Sequence, residues 1–185
     1  MRQGLTAETW PSATTRRAHL RDVREADVPA LAAMRRDDEL QAQLLTVADA
    51  IDDNAMAAWI ERRTSEPGGA FQVVADARSE AFLGFVQISH VHRRNRVGQG
   101  GLALASHARG QGFGHEAMAL LLDHAARRLG LAKLMAEIRA DNAASLRVHH
   151  AAGYRTVGLM TAHFHGRDGV HDVALLERHL GDMAS

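Results

Sequence analysis

The stretch Ser106-His107-Ala108-Arg109-Gly110-Gln111-Gly112-Phe113-Gly114 decides the reading of this chain. Before it, Asn95 to Ala105 reads as a strand, although Gly98, Gly100 and Gly101 weaken its propensity. After it, Gly112 to Leu129 places Met118, Leu121, Leu122, Ala125 and Leu129 on one helical face and stops before Gly130. A glycine-rich loop between a strand and a helix N-terminus cradles an anion. Free N–H groups of the first turn point at the ligand, the helix dipole favours negative charge, and glycines let a phosphate approach closely. The bland alternative is a tight connection with no ligand. A Walker A loop needs lysine and Ser/Thr after its last glycine, but Gly114 is followed by His115-Glu116. The dinucleotide fingerprint G-x-G-x-x-G fails where His115 stands.

Working outward, Ala18 to Val23 predicts a first strand, and Asp27 offers an N-cap to a helix opened by Pro29. Asp37 to Ser65 predicts two helices, interrupted near Asp49 to Asp53. Phe71 to Ala77 and Ala81 to His90 alternate as a hairpin around Arg78-Ser79-Glu80. Lys133 to Ala140 is a strand, and Asn142 to Ala152 a helix capped by Asn142 and ended by Gly153. Tyr154 to Phe164 and Val170 to Leu176 complete the sheet through the turn Gly166-Arg167-Asp168-Gly169. The expectation is a mobile leader over residues 1–17 and one α/β domain over residues 18–181, with a mixed sheet flanked by helices.

Composition bounds the function. The chain has 185 residues, 46% of them hydrophobic, enough for one domain with a real core. Lys plus Arg and Asp plus Glu both total 22, so no net positive field recruits nucleic acid. No apolar run has the length of a membrane span, and the first residues lack a signal-peptide core, which predicts a cytoplasmic protein without a membrane partner. With no cysteine, no thiol can carry an acyl group. The 12 histidines include His90 and His92, His149 and His150, and His163 and His165, none with the i, i+4 spacing and glutamate of a metalloprotease helix. They read as surface residues, and no metal is expected.

Arg109, Gly112 and Gly114 match the pattern R/Q-x-x-G-x-G/A of the GNAT acetyltransferases. Asn142-Ala143-Ala144-Ser145, leading through His149 to Gly153-Tyr154, is similar to the family's second motif. With Gly84-Phe85-Val86 and Asp172-Val173-Ala174-Leu175 the resemblance covers roughly Leu20 to Leu180. Within the family it looks like the subgroup that contains the ribosomal-protein, spermidine and amino-sugar N-acetyltransferases, and Asn142 to Gly153 also resembles the phosphinothricin acetyltransferases. The resemblance implies the acyl-CoA N-acyltransferase fold, a mostly antiparallel sheet splayed at its middle, and acetyl-CoA as cosubstrate. It places the pyrophosphate on Arg109, Gly110, Gln111, Gly112, Phe113 and Gly114, and the pantetheine arm beside Leu102, Ala103 and Leu104. Asn142 and Ser145 would lie near that arm. The partner is an amine, on a small molecule or a protein N-terminus, and a homodimer is compatible with the resemblance.

Acetyl transfer needs a neutral amine and a proton for the departing thiolate. Relatives place the acid seven residues after the motif asparagine, which is His149 here, with Ser145 as the second candidate. Where many relatives hold a glutamate base, this chain has Gln99, which cannot titrate. That leaves water, His90, Asp37, Asp38 or Glu39 as base. The lack of a glutamate also keeps open an acyl-CoA-binding sensor or inactive paralogue, and a structural domain on the same fold is a third reading.

Overall fold

The computed structural model describes residues 16–47 and 52–181. The expected leader lies outside them except for Arg16 and Arg17, as do residues 49–51 of the expected interruption. Among the described residues seven strands form one sheet: β1 (Ala18–Arg21), β2 (Ala70–Asp76), β3 (Phe82–His92), β4 (Val97–Leu104), β5 (Lys133–Arg139), β6 (Arg155–Gly166) and β7 (Gly169–His179). Their order is β1-β2-β3-β4-β5-β7-β6. All neighbours are antiparallel except β4 and β5, which run parallel. The helices are α1 (Val28–Arg36), α2 (Asp38–Gln43), α3 (Asp53–Thr64), α4 (Phe113–Asp123) and α5 (Ala143–Ala151). Among the described residues no helix is long and apolar enough to cross a membrane.

Strand alternation divides the interior in two. Val86, Ile88, Leu134, Ala136 and Leu176 meet Met118, Leu121 and Leu122 of α4 on one face. On the other face Phe71, Phe85 and Ala103 meet Leu31, Met34, Met56 and Trp59 from α1 and α3. Trp59 stands edge-on to Phe71, with ring centroids 5.3 Å apart, and Phe71 lies 4.9 Å from Phe85. Each such buried side chain contributes about 1.5–3 kcal/mol.

The glycines of β4 serve this packing. A Cβ on Gly98 would lie 3.1 Å from both Ile88 and Leu131, and one on Gly100 would lie 3.1 Å from Leu134 and 3.4 Å from Leu121. Tertiary contact therefore outweighs the poor strand propensity of glycine here.

Two local expectations are corrected. Asp27 precedes α1, but its side chain does not cap that helix. It instead grips both terminal nitrogens of Arg21, at 2.6 and 2.8 Å, and accepts from the Arg24 N–H at 2.8 Å, closing a short 3₁₀ turn ahead of the helix. Two charge-assisted bonds to a guanidinium outcompete a single bond from a helix N–H. The helix expected from Gly112 to Leu129 is α-helical to Asp123 and then widens into a π turn at His124–Arg128. There the Leu129 N–H reaches the His124 carbonyl at 3.2 Å, while Ala125 stays fully buried.

Candidate active site

β4 runs through a 3₁₀ turn at Ser106–Ala108 into the glycine loop, and α4 begins at Phe113. Gly110 and Gly112 hold φ of +73° and +86°, the left-handed region that glycine enters without penalty. Gly112 is the N-cap of α4 and brings no side chain to the cap, leaving first-turn N–H groups for a ligand. The loop is braced from both sides. Arg17, just before β1, bonds both carboxylate oxygens of Glu116 through its backbone N–H at 2.9 Å and its Nε at 2.7 Å, and also reaches the Gln111 carbonyl at 3.0 Å. Its guanidinium sits 4.6 Å over the Phe113 ring. Arg109 turns back, donating from Nε to the Leu104 carbonyl at 3.0 Å and lying 3.7 Å from Asp37.

Beside the loop the sheet opens. β4 pairs with β5 only from Val97↔Lys133 to Gln99↔Met135, whereas β4 stays paired with β3 as far as Leu104 and β5 with β7 as far as Arg139. From Gly100 onward β4 and β5 therefore part, leaving a slot that begins beside the anion cradle. A cavity of about 280 Å³ adjoins the slot, with walls that include Gln99, Gly100, Gly101 and Leu102 of β4, Ala136, Glu137 and Ile138 of β5, and Ser145 and His149 of α5. The cavity is also lined by Leu44 and Thr46, Arg63 of α3, and Gln87, Ser89 and His90 of β3.

The second motif supplies the slot's floor. The Asn142 side-chain oxygen accepts from the Ser145 N–H at 3.0 Å, so Asn142 caps α5 as expected. One turn on, His149 is buried, and its Nδ1 lies 2.8 Å from the Ser145 carbonyl oxygen. A carbonyl only accepts, so Nδ1 carries the hydrogen and Nε2 keeps the lone pair. Burial holds the His149 imidazolium below the usual histidine range, although the Ser145 carbonyl works against that shift. The ring packs edge-on against Tyr154 at 4.9 Å.

The expected residues are not all brought together. Gln99, His90, Ser145 and His149 share the cavity. Asp37 instead caps α2 and faces Arg109. Asp38 pairs with Arg167 at 3.5 Å, and Glu39 lines a separate cavity with Asp38 and Arg167. The carboxylate that does line this cavity is Glu137, which the sequence alone did not single out. Alternation along β5 was the available signal: Leu134, Ala136 and Ile138 are buried, which sends Glu137 to the opposite face with Gln99. Among the described residues no three His, Asp or Glu side chains are grouped to hold a metal.

The model of the acetyltransferase (GNAT) domain matches residues 17–155. This chain belongs to the GNAT acetyltransferase family. It is an acetyl-CoA-dependent acetyltransferase of that family. No curated relative matches it in sequence. Among solved structures it is similar to the spermidine N-acetyltransferase of Vibrio cholerae, in complex with CoA and spermine. The TM-score is 0.84 and the identity 15%, over 91% of this chain and 99% of that one. A phosphinothricin acetyltransferase from Sinorhizobium meliloti in complex with AcCoA is similar at TM-score 0.75 and 25% identity, over 90% of each chain.

The site of this GNAT chain fits acetyl-CoA on its own geometry. The anion cradle, the parted strands and the cavity follow one another as pyrophosphate, pantetheine and thioester would. The Tyr154 hydroxyl is buried without a hydrogen-bond partner, 3.6 Å from where a Cβ on Gly100 would stand, so a polar group entering the slot at that strand finds a donor. Burial also pushes the phenol up, so it stays protonated.

Proposed function

We propose that this protein is an N-acetyltransferase moving acetyl from acetyl-CoA to a primary amine, by direct attack of the amine in a ternary complex. The observation that carries the reading is the parting of β4 from β5 after Gln99↔Met135, which joins the glycine loop to a cavity bordered by His149. We read residues 18–181 as one domain dedicated to this reaction, with Leu102, Ala103 and Leu104 flanking the pantetheine arm and Arg109 to Gly114 on the pyrophosphate.

Bound acetyl-CoA supplies an activated acetyl group. The protein supplies orientation and proton transfer. With its Nδ1–H engaged by Ser145 and its imidazolium held low, His149 is neutral near pH 7 and offers the Nε2 lone pair. In this proposal Nε2 takes the proton released by the attacking nitrogen and delivers it to the departing sulfur, so that the acid role expected of His149 is the second half of a shuttle. Ser145, whose hydroxyl lies 3.4 Å from Nδ1, helps hold the ring. Backbone N–H groups at the Gly112 cap hold the pyrophosphate electrostatically.

Initial-rate kinetics over an amine panel, with free CoA as readout, test the reading. Intersecting double-reciprocal plots are expected, because the chain has no cysteine for a thioester intermediate. Parallel lines with a covalently acetylated enzyme would contradict direct transfer. Gln99 at the usual base position favours one rival, an acyl-CoA sensor, which would bind acetyl-CoA and release no CoA with any amine.

A further inference from the structure

Resting on the reading of this cavity as the acceptor site, we infer that the acceptor is a zwitterion. Its ammonium is received by Glu137 and its carboxylate by Arg63, as in a free amino acid.

The two charges line the same cavity of about 280 Å³. Glu137 rises from β5 at the slot, and Arg63 comes from the last turn of α3, whose Trp59 packs on Phe71 of β2 and Phe85 of β3. Neither side chain makes an ion pair or hydrogen bond among the described residues, whereas neighbouring charges such as Arg109 and Asp38 are paired. Two unpaired opposite charges facing one small space are complementary to a ligand carrying both.

The wall on Arg63's side adds a donor. Trp59 Nε1 is buried with no partner, and Trp59 and Arg63 border a recess with Leu31, Met34, Arg35, Gln41 and Phe85 that shares Leu44, Thr46 and Gln87 with the cavity. An unsatisfied buried donor beside an unpaired guanidinium marks the place of an anion. A polyamine has no group for these donors and asks for several carboxylates, whereas Glu137 is the one carboxylate lining this cavity among the described residues.

Glu137 also answers the substitution at Gln99. The acceptor arrives as an ammonium, and Glu137 takes its first proton and passes it to solvent. The free amine nitrogen then bonds to the acetyl carbon as the C–S bond breaks. The second nitrogen proton goes to sulfur, so amine and thioester give amide and free CoA thiol.

The test compares amino acids with their decarboxylated counterparts, lysine with cadaverine and histidine with histamine, alongside spermidine and a C-terminally amidated tetrapeptide, by CoA release. An amino acid is expected to exceed its own decarboxylated partner by about tenfold or more in kcat/KM, the worth of one charge-assisted contact. Arg63→Gln should bring that ratio close to one through KM, with acetyl-CoA affinity unchanged. Glu137→Gln should lower kcat/KM for every acceptor, with an unchanged melting temperature as the fold control. Equal or better turnover of cadaverine, histamine, spermidine or the amidated peptide, or a ratio untouched by Arg63→Gln, would overturn the zwitterion while leaving acetyl transfer intact. Binding of acetyl-CoA with no turnover of any amine would overturn both.

Discussion

The Nδ1 nitrogen of His149 lies 2.8 Å from the carbonyl oxygen of Ser145, its own residue four back on α5. The contact determines which ring nitrogen holds the proton and leaves Nε2 for chemistry. Replacing the ring by phenyl in His149→Phe keeps its volume against Tyr154 and removes proton transfer. Steady-state kinetics should show kcat lower by about ten- to a thousandfold with acetyl-CoA affinity little changed. His149→Tyr should retain more activity than His149→Phe, because a phenol exchanges a proton. Equal kcat for the wild type and His149→Phe would reduce the residue to packing.

Burial lowers the affinity for a proton at both His149 and the half-buried His124, where Arg128 adds to the effect. The unfolded chain therefore takes up protons at about pH 6.5, before the folded chain does, and stability falls as pH drops below that value. Thermal unfolding scans should give a lower Tm at pH 5.5 than at pH 7.5, with a smaller difference in His149→Phe. The pH profile of kcat/KM should lose activity on the acid side, with an apparent pKa below about 6.5. A Tm independent of pH across this window would contradict the buried, neutral histidines.

Arg17 ties the start of β1 to the glycine loop through Glu116 and the Gln111 carbonyl. Arg17→Ala removes that brace without touching the cradle's own N–H groups. Its acetyl-CoA dissociation constant is expected to rise by about three- to thirtyfold, since a loop that must be ordered on binding charges that cost to affinity. A titration giving the wild-type constant would show that the loop holds its shape unaided.

The elements that sequence made visible are those with local signatures. Asn142 caps α5, Gly153 with φ of +83° follows it, and the period of Met118, Leu121 and Leu122 marks α4, all written in a few adjacent residues. What escaped is set by contacts that a local residue pattern does not encode. Asp27 abandons the cap for Arg21 on the preceding strand, the π turn after Asp123 keeps Ala125 in the core, and Glu137 comes to line the cavity with Arg63 only when β5 and α3 are brought together.

The most direct measurement is calorimetric titration of acetyl-CoA into the wild type and Gly114→Val. Gly114 has no positive φ, and a Cβ there would meet only Val148 at 3.5 Å and Leu104 at 4.0 Å, so the added side chain is tolerated by the backbone and projects between α4, α5 and the end of β4. It intrudes where the loop meets the slot. The account predicts stoichiometric binding to the wild type and at least about tenfold weaker binding to a Gly114→Val protein that unfolds at nearly the same temperature. Equal affinity in the folded variant would contradict the assignment of this loop and slot to acetyl-CoA.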